Sequence, residues 1–240
     1  MTEARKVAIL TPLGAPMEAV VLGSLMRLVL TTIAAGIDIV FITMTGGPLA
    51  KIRNLLAQRG LGMDGVTHLF WADGDMVFPA DVLLRLLAWR RPVMSGLYMQ
   101  RSPSTMTHHE TGLPGPMAIQ PHLYWKNHRD KRLGENPKDN WRSRLLWNDL
   151  MAVDGVGAGC LLEEREVYDN IAKPWFHNPL TDDGFRTVVG EDLWHCDQLA
   201  LAGYEVLVDT NISGIMHLAE AATGAPGQYY AVKSDGRPPA

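Results

Sequence analysis

Residues 68–79, HLFWADGDMVFP, decide how this chain is read. The run Leu69-Phe70-Trp71-Ala72 has the length and composition of a strand buried on both faces, and it ends in two aspartates flanking one glycine. In an extended or tightly turning backbone, Asp73 and Asp75 point the same way, and two like charges that close need a counter-charge. A hard divalent cation with oxygen ligands supplies it, and one carrying a diphosphate offsets carboxylate and phosphate oxygens together. The expectation is metal-dependent transfer from a nucleotide-sugar. An Asp-Gly turn with solvated acids is the commoner origin of such pairs. Here no second strand starts two residues on, which weakens that reading.

Working outward, the periodicity predicts strands at 6–11, 38–44, 67–72 and 93–98, and helices at 17–34, 49–59 and 80–90. Such βαβαβαβ alternation implies an α/β domain, Rossmann-like, with a mostly parallel central sheet covered on both faces and ligands at the carboxyl ends of its strands. Thr11-Pro12 and Asp73-Gly74-Asp75 both fall at such ends. The pattern fails from 101 to about 147, where Pro, Gly, His and basic residues dominate, as in a long functional loop. It returns with a strand at 151–156, a tight turn at 157–159, helices at 163–171 and 191–202, a strand at 205–209 and an extended piece at 213–217. One domain over 1–218 is expected, with 102–148 as its acceptor-side loop region and 219–240 as a loose tail.

Composition bounds the class. At 240 residues and 47% hydrophobic content the chain can bury one sizeable core. A net charge of −4 excludes a uniformly basic nucleic-acid binder but not a local basic patch. Two cysteines, Cys160 and Cys196, give no disulfide framework, suit a reducing, cytoplasmic setting and read as small buried apolar residues. The start of the chain lacks a signal-peptide pattern, and the apolar stretch 19–35 carries Arg27 mid-run, so a buried helix is expected there and not a membrane span.

Several segments together resemble glycosyltransferases of the GT-A fold, especially the family 2-like enzymes of bacteria and their phages. Asp73-Gly74-Asp75 stands where that family has its DxD motif, and Arg53-Asn54 in LAKIRNLLAQ resembles the Arg-Asn pair opening the helix before it. VDGVGAGCLLEEREVYDNIAKPWF, residues 153–176, is similar to the family's Gly-rich turn, helix and Pro-Trp-Phe segment. GEDLWHCDQLALAGYEVLVDTNISGIMH, residues 190–217, looks like its Glu-Asp helix, return strand and late histidine. The resemblance covers roughly 5–218 and implies a GT-A nucleotide-diphospho-sugar transferase fold, with a UDP-sugar as the expected donor.

It also implies roles. Asp75 would ligate manganese or magnesium directly, and Asp73 would reach the metal through water or contact the donor ribose. His217 would be the late metal ligand, imidazole suiting manganese better than magnesium; the plain alternative is a histidine ending an edge strand. Thr11 and Pro12 would line the base pocket, unless they form an ordinary strand-ending turn. Arg53 and Asn54 would face the donor. Glu191 and Asp192 precede an apolar helix, where backbone N–H groups favour carboxylates, so they read either as a helix cap or, for Asp192, as the base that deprotonates the acceptor. Gly157 allows close backbone approach, and Asp154 is a sugar-hydroxyl contact or a turn residue. His195 departs from the pattern and reads as a partly buried histidine; His108-His109-Glu110 has the wrong spacing for a metal pair and reads as a solvated loop.

Residues 122–147 hold seven basic and three acidic side chains, net +4, leaving the rest of the chain at −8. Tyr124, Trp125, Trp141 and Trp147 are interleaved with them. Such a segment suits an anionic acceptor, a phosphate-bearing glycan or lipid or a hydroxylated base in phage DNA, against the plain reading of a solvated loop. Oligomeric state is not legible. Two other classes compete. Asp-Gly-Asp-Met-Val fits the opening motif of haloacid dehalogenase phosphatases, but three elements precede it; a non-catalytic nucleotide or carbohydrate module would be expected to lose Asp75 or Asp192, and both are present.

Overall fold

A computed structural model describes residues 5–99, 104–107, 114–118, 122–126, 141–142, 150–212, 214–219 and 228–229. The first half alternates as expected: β1 (Lys6–Leu13), α1 (Ala19–Ala34), β2 (Asp38–Thr45), α2 (Leu49–Leu61), β3 (His68–Ala72), β4 (Met76–Val77), α3 (Val82–Ala88) and β5 (Val93–Gly96). Short strands β6 (Ser104–Thr107), β7 (Pro114–Ala118), β8 (Leu123–Lys126) and β9 (Trp141–Arg142) follow. The second half holds β10 (Leu150–Val153), β11 (Gly155–Val156), β12 (Cys160–Glu164), α4 (Val167–Asn170), α5 (Glu191–Leu201), β13 (Val206–Asp209), β14 (Met216–Ala219) and β15 (Gln228–Tyr229).

The central sheet has seven strands in the order β10-β13-β5-β12-β3-β1-β2. β12 and β10 run against the other five, so the sheet is mixed and mostly parallel. Period-two alternation splits the core. Val7, Ile9 and Phe70 face α1 and α3 with Val21, Leu25 and Leu83, while Ala8, Leu10 and Trp71 face α2 and α5 with Ile52, Leu56 and Leu199. The chain leaves β1 for β2 on one side and returns to β3 on the other, with α1 and α2 on opposite faces. The strand order therefore reverses at β1, and sheets of this kind form their ligand crevice beyond the carboxyl ends of the strands there, β1 and β3.

The second half departs from the sequence reading. The helix expected at 163–171 is confined to Val167–Asn170, and residues 160–164 instead form β12, wedged antiparallel between β3 and β5. Two adjacent glutamates read as helical, yet Glu163 is fully buried in a strand. The strand expected at 151–156 breaks at Asp154 into β10 and β11, and the extended piece at 213–217 becomes β14, which pairs with β4. The stretch expected as a loose tail contributes β15, paired to β14 at Leu218↔Tyr229 and Ala219↔Gln228.

Candidate active site

The turn after β3 packs directly on the end of β1. A Cβ on Gly74 would lie 2.5 Å from Leu13 Cδ2 and 3.3 Å from the Pro12 carbonyl oxygen, so a larger residue would push the Leu13 side chain aside and crowd the close approach of the Asp73-Gly74-Asp75 turn to β1. The turn is held by the Met76 N–H on the Asp73 carbonyl at 3.1 Å and by a longer contact from Asp73 N–H to Gly159 O at 3.4 Å. Thr11 is buried beside the turn, and its hydroxyl has no partner among the described residues. β14 brings His217 opposite Met76, one residue past Asp75.

Arg53 joins the two acidic sets that the sequence keeps far apart. Its guanidinium, 2% exposed, donates from Nη2 to Asp73 Oδ1 at 2.9 Å and from Nε to Glu191 Oε1 at 3.4 Å. It lies against the rings of Trp71 and Phe176, with 5.5 and 5.8 Å to their centroids. Nη1 is buried without a partner among the described residues. Burial works against its charge, but the charges of Asp73, Glu191 and Asp192 outweigh it and leave the pKa raised.

α5 starts at Gly190, whose missing side chain leaves room for Asp192: a Cβ there would be 2.8 Å from Asp192 Oδ1. That oxygen accepts the Leu193 N–H at 2.8 Å, so Asp192 satisfies one of the helix's free amides. Burial first, and the adjacent Glu191 charge second, push its carboxyl up from 3.8 to about 6, with Arg53 pulling the other way. Glu191 also accepts from Asn178 Nδ2 at 3.3 Å. The Leu193 bond is what the helix-end reading of this pair expects.

On the far wall stand Tyr98, His122, Tyr124 and His217, packed edge to face at centroid distances of 5.1 to 5.4 Å, with the two histidine rings 6.4 Å apart. His217 Nδ1 lies 2.7 Å from the Met99 carbonyl, which can only accept, so Nδ1 carries a proton. Burial above all, then His217, hold His122 down at about 4, leaving its ring neutral at physiological pH. Gly157 makes this wall possible: a Cβ there would lie 2.3 Å from both His122 Nδ1 and the Tyr98 hydroxyl. The Tyr98 hydroxyl in turn accepts the Gly159 N–H at 3.0 Å.

The structure thus gathers Thr11, Pro12, Arg53, Asp73, Asp75, Gly157, Glu191, Asp192 and His217 about one crevice. Asn54 is turned to another task, its amide donating at 2.7 Å to both the Ala50 and Phe176 carbonyls and accepting the Phe176 N–H at 3.3 Å. Asp154 lies between β10 and β11, its N–H on the Tyr124 carbonyl at 3.1 Å. His108-His109-Glu110 and most of 122–147, including Arg129, Lys131, Arg132, Lys138 and Arg144, lie outside the described residues. Tyr98 and His122 were not singled out by the sequence; a His-x-Tyr pair leading into a basic, aromatic segment is the one local signal for them.

Beneath the crevice lies a second polar cluster. Glu163 Oε2 accepts from the Tyr168 hydroxyl and from Trp71 Nε1 at 3.0 Å, and Oε1 meets His195 Nε2 at 2.7 Å. His195 Nδ1 faces the Trp175 carbonyl at 2.9 Å, and the ring stacks on Phe176 at 4.2 Å. His195 is therefore fully buried and structural. Cys160 and Cys196 are free and buried, and burial pushes the Cys160 thiol up to about 12 and that of Cys196 higher.

Two carboxylates on one turn and an imidazole opposite Met76 are donor types that a divalent metal takes. Among the described residues no three His, Cys, Asp or Glu side chains converge into a ready-made cage. No described helix is long and apolar enough to cross a membrane.

Neither a known protein family nor a curated protein matches the sequence. Among solved structures, protein A197 from STIV aligns over 98% of this chain and 92% of its own, at 13% identity and a TM-score of 0.52. GalNAc-T7, solved with UDP, GalNAc and Mn2+, aligns over 87% of this chain but 43% of its own, at 11% identity and a TM-score of 0.50. The fold is that of the GT-A glycosyltransferases.

Proposed function

We propose that the chain transfers a sugar from a nucleoside diphosphate donor, UDP in the first instance, to an acceptor hydroxyl. The observation that carries this reading is the buried Arg53, which pairs with Asp73 at 2.9 Å and Glu191 at 3.4 Å, so that the carboxylate sets proposed for the metal and for the base share one cation. Asp75 and His217 Nε2 would hold Mn2+ or Mg2+, with Asp73 oriented by Arg53 toward the donor ribose or a metal-bound water. When bound, the cation would offset the charge that develops on the leaving diphosphate. Thr11 and Pro12 wall the base pocket, and the unpartnered Thr11 hydroxyl awaits a polar group there. Asp192, at about 6, accepts the proton of the acceptor hydroxyl.

The acceptor class rests on the charge of 122–147: a phosphate-bearing glycan or lipid, or DNA bearing a hydroxylated base. Neutralising Arg129, Lys131 and Arg132 should then flatten the salt dependence of acceptor binding by roughly 0.7 to 0.9 log units per lost phosphate contact. The transferase reading itself is tested by UDP release from a panel of UDP-hexoses with and without Mn2+. Metal-dependent release that disappears in Asp75→Asn supports it. Metal-independent release, or full activity in that variant, overturns the metal assignment.

A further inference from the structure

Asp192 faces a second group that nothing so far has given a task. His122 Nε2 stands 4.0 Å from Asp192 Oδ2, and the two side chains are 23% and 20% exposed to the crevice. That gap is too long for a direct hydrogen bond. The ring is nevertheless held firmly: its backbone N–H bonds the Tyr98 carbonyl at 2.9 Å, and its faces and edges meet Tyr98, Tyr124 and His217. Its Nδ1 is buried against Gly157 with no partner among the described residues. A buried N–H is rarely left unpaired, whereas a lone pair is left so more often, so the ring proton belongs on Nε2, the atom directed at Asp192.

We propose that His122 and Asp192 form a two-point clasp for the acceptor hydroxyl. An oxygen about 2.8 Å from each atom spans the 4.0 Å gap with an angle of roughly 90° at that oxygen. A hydroxyl at this point donates its proton to Asp192 Oδ2 and accepts the His122 Nε2–H on one lone pair, leaving the other lone pair to attack. As the new oxygen–carbon bond forms at the sugar's anomeric carbon, the O–H bond breaks toward Asp192. The bond from that carbon to the diphosphate breaks with its electron pair leaving on the diphosphate. His122 keeps its proton throughout; it orients the nucleophile and excludes hydroxyls that cannot accept from it.

The clasp rests on the transferase reading, and the test separates the two. With UDP-hexoses as donors and water as acceptor, His122→Ala should lower UDP release by about tenfold or more. His122→Gln, whose side-chain amide reaches the Nε2 position, should restore most of it, and UDP–Mn2+ affinity by calorimetry should stay constant in both variants. The clasp is overturned if His122→Ala turns over like wild type, if His122→Gln falls as far as His122→Ala, or if UDP affinity falls by the same factor as turnover. Nitrogen-15 shifts of the wild-type ring at neutral pH decide the geometry without any turnover: an Nε2–H tautomer supports the clasp, and an Nδ1–H tautomer or an imidazolium overturns it alone. A wild type that binds no UDP overturns the transferase reading, and the clasp with it.

Discussion

The same three elements carry two polar clusters of opposite character. Trp71 on β3, Glu163 on β12 and His195 on α5 meet under the crevice with every polar atom of the Glu163 carboxylate and the His195 ring matched. A few residues away, Asp73, Gly159 and Asp192 border the crevice, where Arg53 Nη1, His122 Nδ1 and the Thr11 hydroxyl are buried and unmatched. A satisfied network in a low-dielectric interior rigidifies the fold, whereas unmatched groups cost stability and persist where they await something else. The lower cluster is scaffold, and the upper one is the proposed site. Each can be broken separately.

The largest expected effect comes from Asp192→Asn. Losing the base should lower kcat by about two to four orders of magnitude. Stability should move the other way. The Asp192 carboxyl titrates at about 6 against an ordinary 3.8, so its favourable contribution is present below 3.8 and lost as pH rises through about 6. Above that, the ionised group costs up to about 3 kcal/mol, and Asn removes the cost. Urea melts should therefore show Asp192→Asn stabilised by about 1–3 kcal/mol at pH 8 and little changed at pH 4. A variant destabilised at pH 8 would make Asp192 part of the scaffold.

The lower cluster should respond in stability first. Glu163→Ala removes one partner of a buried pair and leaves the Tyr168 hydroxyl and His195 Nε2 without their carboxylate partner, while Trp71 Nε1 keeps only the Tyr168 hydroxyl at 2.8 Å, which should cost about 3–5 kcal/mol. Glu163→Gln keeps an acceptor for Trp71 and Tyr168 and offers an N–H to His195, so it should recover most of that loss. If Glu163→Gln keeps full stability but loses turnover, the division between scaffold and site fails.

What the sequence revealed of these clusters follows their physics. β1, β2 and β3 were legible because parallel buried strands read as apolar runs, and the reversal at β1 follows from the alternation that precedes it. β12 was hidden: Glu163 in CLLEE signals a helix until one knows that Trp71, Tyr168 and His195, far along the chain, complete its hydrogen bonds. The DGD turn and the Glu191-Asp192 pair were visible as local motifs, and their approach through Arg53 was not, because an ion pair spanning 138 residues leaves no local mark. His122 was hidden by its context in a basic stretch that reads as solvated loop.

A smaller effect links the two carboxylate sets. Arg53 lowers the Asp192 pKa, so Arg53→Gln should move the acid limb of the kcat profile upward from about 6, while also loosening Asp73 and raising the KM for donor. An acid limb that stays in place would mean that Asp192 does not control it or that Arg53 does not act on Asp192.

The smallest effect falls on Asn54, where the family resemblance and the geometry give different expectations. The resemblance makes it a donor contact beside Arg53. In the structure its amide is spent on the backbone, holding the Phe176 segment to α2 through contacts of 2.7 and 3.3 Å. Phe176 in turn stacks on His195 and flanks the Arg53 guanidinium, so Asn54 belongs to the scaffold and acts on the site at one remove. Asn54→Ala should lower stability by about 1–2 kcal/mol in denaturant melts, the scale of unmatched backbone groups that water can partly reach, and should leave UDP–Mn2+ affinity within about threefold of wild type. A tenfold loss of UDP affinity at unchanged stability would return Asn54 to the crevice and extend the unmatched, ligand-seeking cluster one residue along α2.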